Sequence, residues 1–220
     1  ATDKLSLAGG IDMRYYKGEH YSEVYDLLGG DYAVSTDDEN QLTAVKREGD
    51  KIDYHNDGIV KWSGVFSQAE YSNGMLSAFF NVSGSNSAYK RIDYFQKKDD
   101  SQYASTDWKW IRGYTIKTGA NLNLDEYNNV FFNTGYISKA PKFSNIYTQS
   151  NTLQAYINNE EVKAIEGGYS FRSSSFSANI NTYYTVWKNK PANISANIGN
   201  IRYSDVVPMN ALHKGLELDW

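Results

Sequence analysis

From Phe176 to Val186 the chain alternates. Phe176, Ala178, Ile180, Thr182, Tyr184 and Val186 are apolar or small, while Ser177, Asn179, Asn181, Tyr183 and Thr185 between them are polar. A period of two predicts a strand with one dry and one wet face. The run is about twice the usual 5–6 residues of a globular strand. The same pattern recurs. Tyr114, Ile116, Thr118, Ala120 and Leu122 alternate with Thr115, Lys117, Gly119, Asn121 and Asn123. Ile165, Gly167, Tyr169 and Phe171 alternate with Glu166, Ser170 and Arg172. Leu76, Ala78, Phe80 and Val82 share a face, as do Leu5, Leu7, Gly9, Ile11 and Met13 near the start and Leu216 and Leu218 near the end. Before Asn73 the register is ambiguous, because Val65 and Phe66 are both apolar.

Short polar turns join these runs in pairs. Asn73-Gly74 is a strong hairpin signal, since both residues accept φ > 0. "LDEYNN" and "RSSS" make two further short turns. Between the pairs lie long polar connections, near 15–58, 96–107, 138–160 and 188–211. Short turns on one side and long loops on the other are the pattern of a membrane β-barrel. A tilted membrane-crossing strand needs about 9–11 residues, and the runs at 113–123, 128–138, 161–172 and 176–187 meet that length. The reading is therefore all-β, an antiparallel transmembrane β-barrel wall with lipid outside and a polar lumen. Arg14, Lys117, Glu166 and Arg172 fall on the lumen side. Trp108, Trp110, Tyr183, Tyr184 and Trp187, near strand ends, are expected to form an aromatic girdle at the membrane interface.

Composition modifies this picture in few places. The 220 residues suit one domain or two. Mean hydropathy is −0.62, and no run of about 18 apolar residues predicts a membrane helix. Strand barrels escape that test, because lipid-facing and lumen-facing residues alternate. With 19 Tyr, 5 Trp and 9 Phe against 3 Pro, the chain favours strands. It contains no Cys, which removes disulfides and thiolate metal sites. A net charge of −4 without a basic patch argues against nucleic acid as a partner.

Candidate chemistry is sparse. His20, His55 and His213 have no partner at ligand spacing and read as loop or strand-end residues. The acidic stretch "STDDENQ" at 35–41 lacks EF-hand spacing and reads as a solvated loop. No G-x-S-x-G motif, nucleotide fingerprint, triad or metal cluster emerges, so an enzyme is the weakest reading and no cofactor is expected. Tyrosines in the long connections, Tyr21, Tyr25, Tyr32, Tyr54, Tyr103, Tyr147 and Tyr156, either stack on a ligand or fold the loops together.

Several stretches are familiar: "YYKGEHYSEVYDLLGGDY", "TDWKWIRGYTIKTGANLNL", "NTGYISKAPKFSNIY", "NEEVKAIEGGYSFRSSSFSANINTYYTVWKNKP" and "ALHKGLELDW". In colinear order they resemble the barrel of TonB-dependent outer-membrane receptors, most of all those of the Bacteroidetes. The most specific is "NEEVKAIEGGYSFRSSSFSANINTYYTVWKNKP", which is similar to the family's strand, short turn and strand ending in "YYTxWxxRP". The resemblance implies a plugged barrel of about 22 strands in the outer membrane. It implies import of an iron chelate, haem, cobalamin, glycan or peptide, energised by TonB-ExbB-ExbD. No TonB box, plug or signal peptide is evident in these residues. Alternation gives roughly ten to twelve strands, so the chain is expected to be about half of such a barrel. On this reading the loops near 15–58 and 138–160 contact the nutrient ligand or a surface lipoprotein. Two other readings remain: a complete small outer-membrane barrel acting as pore or adhesin, and a soluble β-sandwich binding module.

Overall fold

A computed structural model describes residues 4–41, 43–97, 104–148, 150–198 and 201–220. Eight long strands dominate it: β1 (Leu5–Glu23), β4 (Lys51–Ser72), β5 (Leu76–Asp93), β7 (Lys109–Asn123), β8 (Asn128–Lys139), β9 (Glu160–Arg172), β10 (Ser177–Ile198) and β11 (Ile201–Asp219). Three two-residue strands, β2 (Ala33–Val34), β3 (Val45–Lys46) and β6 (Ala104–Ser105), lie in the connections. The long strands form one antiparallel sheet in the order β1-β4-β5-β7-β8-β9-β10-β11, with β6 added at the end of β5. Every long strand therefore pairs with its neighbour in sequence, which keeps the topology a simple up-and-down meander. Among the described residues no second large sheet packs on it, so the β-sandwich reading is corrected. Among the described residues β1 and β11 do not pair with each other, so the sheet is open at both edges.

The register fixes two faces. Ile11 lies opposite Val65, Gly84 and Tyr114 on successive strands, and Leu7 opposite Ala69, Phe80 and Thr118. The line from Leu7 continues through Thr134, Ile165 and Tyr184. The next carries Ala78, Ala120, Phe132, Gly167, Thr182 and Leu216. This is the apolar face. The opposite face carries Ser6, Asp12, Gln68, Asn81, Lys117, Asn133, Glu166, Asn179 and Asn181. Val65 belongs to the apolar face and Phe66 to the polar one, beside Gly10, where a Cβ would meet the Phe66 ring at 2.8 Å. The ambiguity at Val65-Phe66 is thereby resolved.

None of the described residues covers the apolar face. On the inner strands Phe80, Phe132, Ile165 and Tyr184 are each about half exposed, and on β1 Leu7 and Ile11 are 64% and 76% exposed. A soluble monomer rarely leaves more than a few hundred Å² of contiguous apolar surface bare. From Leu5 to Tyr15 are ten residue steps, about 33 Å along a strand at 3.3 Å each. Tilted by about 45°, that spans ~23 Å, close to the ~25 Å apolar band of a membrane barrel. The buried apolar residues lie elsewhere: Val24, Ile59, Ala88, Tyr89, Phe95, Ala104, Ile146 and Tyr147 all sit at the loop end.

The turns at the other end are short and self-supporting. Gly74 has φ +86°, and the Asn73 Oδ1 accepts from the Met75 and Leu76 N–H groups. In the β7–β8 turn, Asp125 Oδ1 accepts from the Tyr127 and Asn128 N–H groups at 2.8 Å each. Those donors and the Asn128 side chain hold its carboxyl below the usual carboxylate range.

The loop end differs from the expected boundaries. β1 continues to Glu23 and β4 begins at Lys51, leaving 24–50 as the connection rather than 15–58. Most of 188–211 is not a loop: β10 and β11 stay paired from Lys190–Met209 to Ile198–Ile201. Among the described residues the strands are eight long ones and three of two residues. Beyond the apolar band a strand can be polar on both faces, so alternation of apolar residues no longer marks it.

Gly74→Ala should cost about 1–2 kcal/mol, because a Cβ there meets nothing within 4 Å and only the left-handed backbone is penalised. Denaturant unfolding in detergent micelles measures it, with Gly74→Asn expected to cost less. Asp125→Ala should speed amide exchange at Tyr127 and Asn128 while leaving the exchange of Asn73–Leu76 unchanged.

Candidate functional site

At the loop end the two faces exchange polarity. Past Tyr15 the formerly apolar face carries Lys17 and Glu19, and on neighbouring strands Asp57, Lys61, Lys90 and Arg112. The formerly polar face there carries Val60, Tyr89, Ile111, Ile137 and Val162. A connection can therefore fold onto the inner face, and the β8–β9 loop (140–159) does. Ile146 and Tyr147 are buried against Tyr89, with Val60, Ile111, Phe143 and Ile157 around them. Gly58 admits the Phe143 ring, since a Cβ there would meet it at 3.2 Å. The Tyr147 hydroxyl donates to the Tyr89 backbone carbonyl at 2.7 Å, and the Tyr89 hydroxyl donates to the Pro141 carbonyl at 2.9 Å. Burial pushes the Tyr147 phenol pKa up.

Beside this lid lies a cleft of about 660 Å³, lined by Asp37, Glu39, Asp53, Tyr54, Asn56, Arg91, Asp93, Phe95, Gln96 and Ser150. A bulge builds it. Tyr21 pairs with His55 but Ser22 pairs with Ile52, so Asp53 and Tyr54 are pushed out of the ladder. Asp53 takes φ +61° to allow this, a conformation Asp and Asn tolerate better than most residues. Its N–H donates to Asp37 at 3.0 Å, and the Ser35 hydroxyl donates to the same carboxylate at 2.5 Å. The two donors hold the Asp37 carboxyl below the usual range. Arg91 is not a free cation: it pairs with Asp93 at 3.2 Å and donates to the Thr148 carbonyl at 2.9 Å. The cleft is thus rich in acceptors, with one exposed aromatic ring, Tyr54.

The loop tyrosines are not brought together. Among the described loop tyrosines only Tyr54 lines the cleft. Tyr25 and Tyr32 are exposed in the β1–β4 connection. Tyr156 is exposed at a narrow crevice with Asn189, Pro191 and Pro208. Tyr21 lies on the opposite face, edge-on to His55. Tyr147 is 6% exposed, so its expected role in ligand contact is corrected: it fastens the loop. Tyr103 lies outside the described residues.

Arg14, Lys117, Glu166 and Arg172 all share the polar face. Arg14 pairs with Asp12 on its own strand at 2.6 Å and lies 5.1 Å from the Trp62 ring. Among the described residues the other three make no ion pair. The expected girdle divides. Tyr184 and Trp110 face the apolar side, and Trp108 stacks near Trp110 at 6.5 Å. Tyr183 and Trp187 face the polar side, a correction forced by alternation, because neighbours in a strand point opposite ways. On the apolar side the ring residues toward the loop ends of their strands are Tyr15, Tyr114, Tyr136 and Tyr184, with Tyr114 and Tyr136 5.5 Å apart. Sequence reading missed Asp53, Asn56, Arg91 and Asp93. Their one signal is a strand end where polar residues fall on both faces.

No protein-family model matches the chain, and no curated protein matches it closely enough to count. Among solved structures the fold is similar to that of Copper transporter OprC, with a TM-score of 0.69 over 99% of this chain and 12% identity. The alignment covers 33% of that protein, so this chain spans about a third of its length. The likeness establishes the fold, an antiparallel all-β wall of the outer-membrane barrel kind.

Tyr147→Ala should release the β8–β9 loop, read as new protease cleavage within 140–159 while the long strands stay protected. Tyr147→Phe, which loses one buried hydrogen bond worth about 1 kcal/mol, should loosen it less. Because the Asp37 pKa is lowered on folding, the stability it contributes is present above its unfolded pKa and is lost as pH falls through the folded value. Ser35→Ala should raise the Asp37 pKa in a carboxyl NMR titration and move that loss to higher pH.

Proposed function

We propose that this chain is a section of the barrel of a TonB-dependent outer-membrane receptor of the Bacteroidetes type, importing a specific nutrient ligand. The observation that carries the reading is the two-faced sheet, bare and apolar on one side, polar and loop-capped on the other. The shared fold with a transporter supports it. On this reading the sheet continues past β1 and β11 into a closed barrel of about 22 strands, with a plug supplied by other residues. The long connections face the outside and the short turns the periplasm. TonB-ExbB-ExbD drives transport, and a surface lipoprotein has the projecting β10–β11 hairpin to dock against.

The cleft at Asp53 and Tyr54 is the proposed first contact for the ligand. Its acceptors suit a ligand that presents hydroxyl or amino donors, as a glycan or peptide does. Copper is not carried over from the structural neighbour: the described lining residues include no His, Cys or Met, the ligands copper takes most readily.

Uptake by cells carrying the full-length protein tests the reading. Deletion of TonB should abolish ligand-dependent growth, and uptake that persists without TonB would overturn it. Asp53→Asn keeps the left-handed backbone and removes one charge; it should weaken ligand binding about tenfold, roughly the loss of one charged hydrogen bond, with unchanged membrane assembly. Ile180→Arg, midway between Phe176 and Tyr184 on the apolar face, should cost about 2–4 kcal/mol in folding into vesicles. Glu166→Arg on the other face should cost under about 1 kcal/mol.

A further inference from the structure

The exchange of polarity at the loop end leaves cations on the face proposed to meet lipid. Lys61 lies directly opposite Tyr15. Arg112 precedes Tyr114 by two residues on the same face of β7. Lys163 lies opposite Tyr136, its Nζ 5.4 Å from that ring. Lys214 lies opposite Tyr184. Each of the four girdle tyrosines thus has one cation beside it. The four stand on β4, β7, β9 and β11, every second strand of the sheet, so successive members are about 10 Å apart across the strands at 4.8 Å per strand, and the register offsets them along the strands by a further two, four and two residues.

All four cations are exposed, and among the described residues none makes an ion pair. Lys61 rests its Nζ 4.4 Å from the Trp108 ring. Lys17, on the same face, is already committed to Asp57 at 2.8 Å. Glu161, two residues from Lys163 on the same face, lies opposite another cation, Lys188, so the row stays positive. The turn end of this face is different. Leu5, Tyr71, Leu76, Leu122, Val130, Tyr169, Phe171 and Leu218 carry no charge there. The asymmetry needs a physical cause, and bulk water, which bathes both ends alike, does not supply one.

Aromatic rings mark the depth at which hydrocarbon gives way to head groups. Long basic side chains just beyond them snorkel to that level. A leaflet bearing phosphates attracts such residues, by about fivefold in binding for each Lys or Arg. We propose that Lys61, Arg112, Lys163 and Lys214 bind the head-group phosphates of anionic lipid in the leaflet on the loop side. The proposal rests on the membrane reading above and adds the lipid chemistry of one leaflet.

The test places the full-length protein in phosphatidylcholine nanodiscs doped with either phosphatidic acid or diacylglycerol of the same chains. Lipid retained on the protein after release is counted by native mass spectrometry. Phosphatidic acid should be retained and diacylglycerol not. The variant carrying Lys61→Gln, Arg112→Gln, Lys163→Gln and Lys214→Gln should lose at least tenfold of that retention. A variant with Lys61→Arg, Arg112→Lys, Lys163→Arg and Lys214→Arg should keep it. If the fourfold Gln variant fails to fold, the four single variants are read instead, each expected to lose about threefold, less than the full per-charge factor because three neighbours remain. Equal retention by wild type and Gln variants overturns the proposal, as does displacement of the lipid by 10 mM (roughly physiological) inorganic phosphate, which identifies a soluble anion as the ligand. Failure of the wild-type protein to insert overturns the membrane reading as well; insertion with equal retention overturns this proposal alone.

Discussion

Eight hydrogen-bonded strands present Leu, Ile, Val, Phe and Tyr side chains on one side, and none of the described residues lies over them. Backbone pairing satisfies the polar groups within the sheet, but the hydrophobic effect gives such a face no reason to stay in water. On the membrane reading proposed above, its solvent is hydrocarbon. That requirement explains why the buried apolar residues, from Val24 to Tyr147, all gather where the loops meet. It also explains why strands from Asn128–Lys139 to Lys51–Ser72 run 12 to 22 residues. About ten cross the apolar band, and the rest stand beyond it.

The same constraint places the site. Once the strands leave the apolar band their outer face is free to carry Lys61, Lys90 and Arg112, and their inner face is free to become a small core. Val60, Tyr89 and Ile111 use that freedom to hold Ile146 and Tyr147, which draws the β8–β9 loop inward. The bulge at Asp53 and Tyr54 occurs at the same level, where an unpaired residue meets water rather than lipid. Lid, bulge and acceptor-lined cleft are thus three results of one change of surroundings along the strands.

How much of this is legible in the sequence depends on position along the strand. Between Tyr114 and Leu122, or between Ile165 and Phe171, a period of two fixes both the strand and its faces, because lipid on one side and water on the other allow little else. Asn73-Gly74 fixes a turn through its backbone alone. Beyond the girdle the signal fails for a physical reason. At 51–58 and 188–192 both faces are wet or loop-covered, so the strands carry no alternation and read as loops. Tyr183 and Trp187 read as girdle residues by proximity to a strand end, although parity sends them to the polar side. Tyr147 reads as a free loop aromatic because its partners, Tyr89 and Ile111, are distant in sequence. The cleft was not legible at all, since it depends on a register slip that leaves no mark on composition.

The central claim concerns which solvent each face meets. The chain has no Cys, so single cysteines introduced from 177 to 186 in the full-length protein can each carry a spin label in lipid vesicles. Accessibility to oxygen, which concentrates in hydrocarbon, should peak at 178, 180, 182, 184 and 186. Accessibility to a water-soluble nickel chelate should peak at 177, 179, 181, 183 and 185. Equal access of the chelate to both sets would contradict the account, because the face from Ala178 to Val186 would then be meeting water.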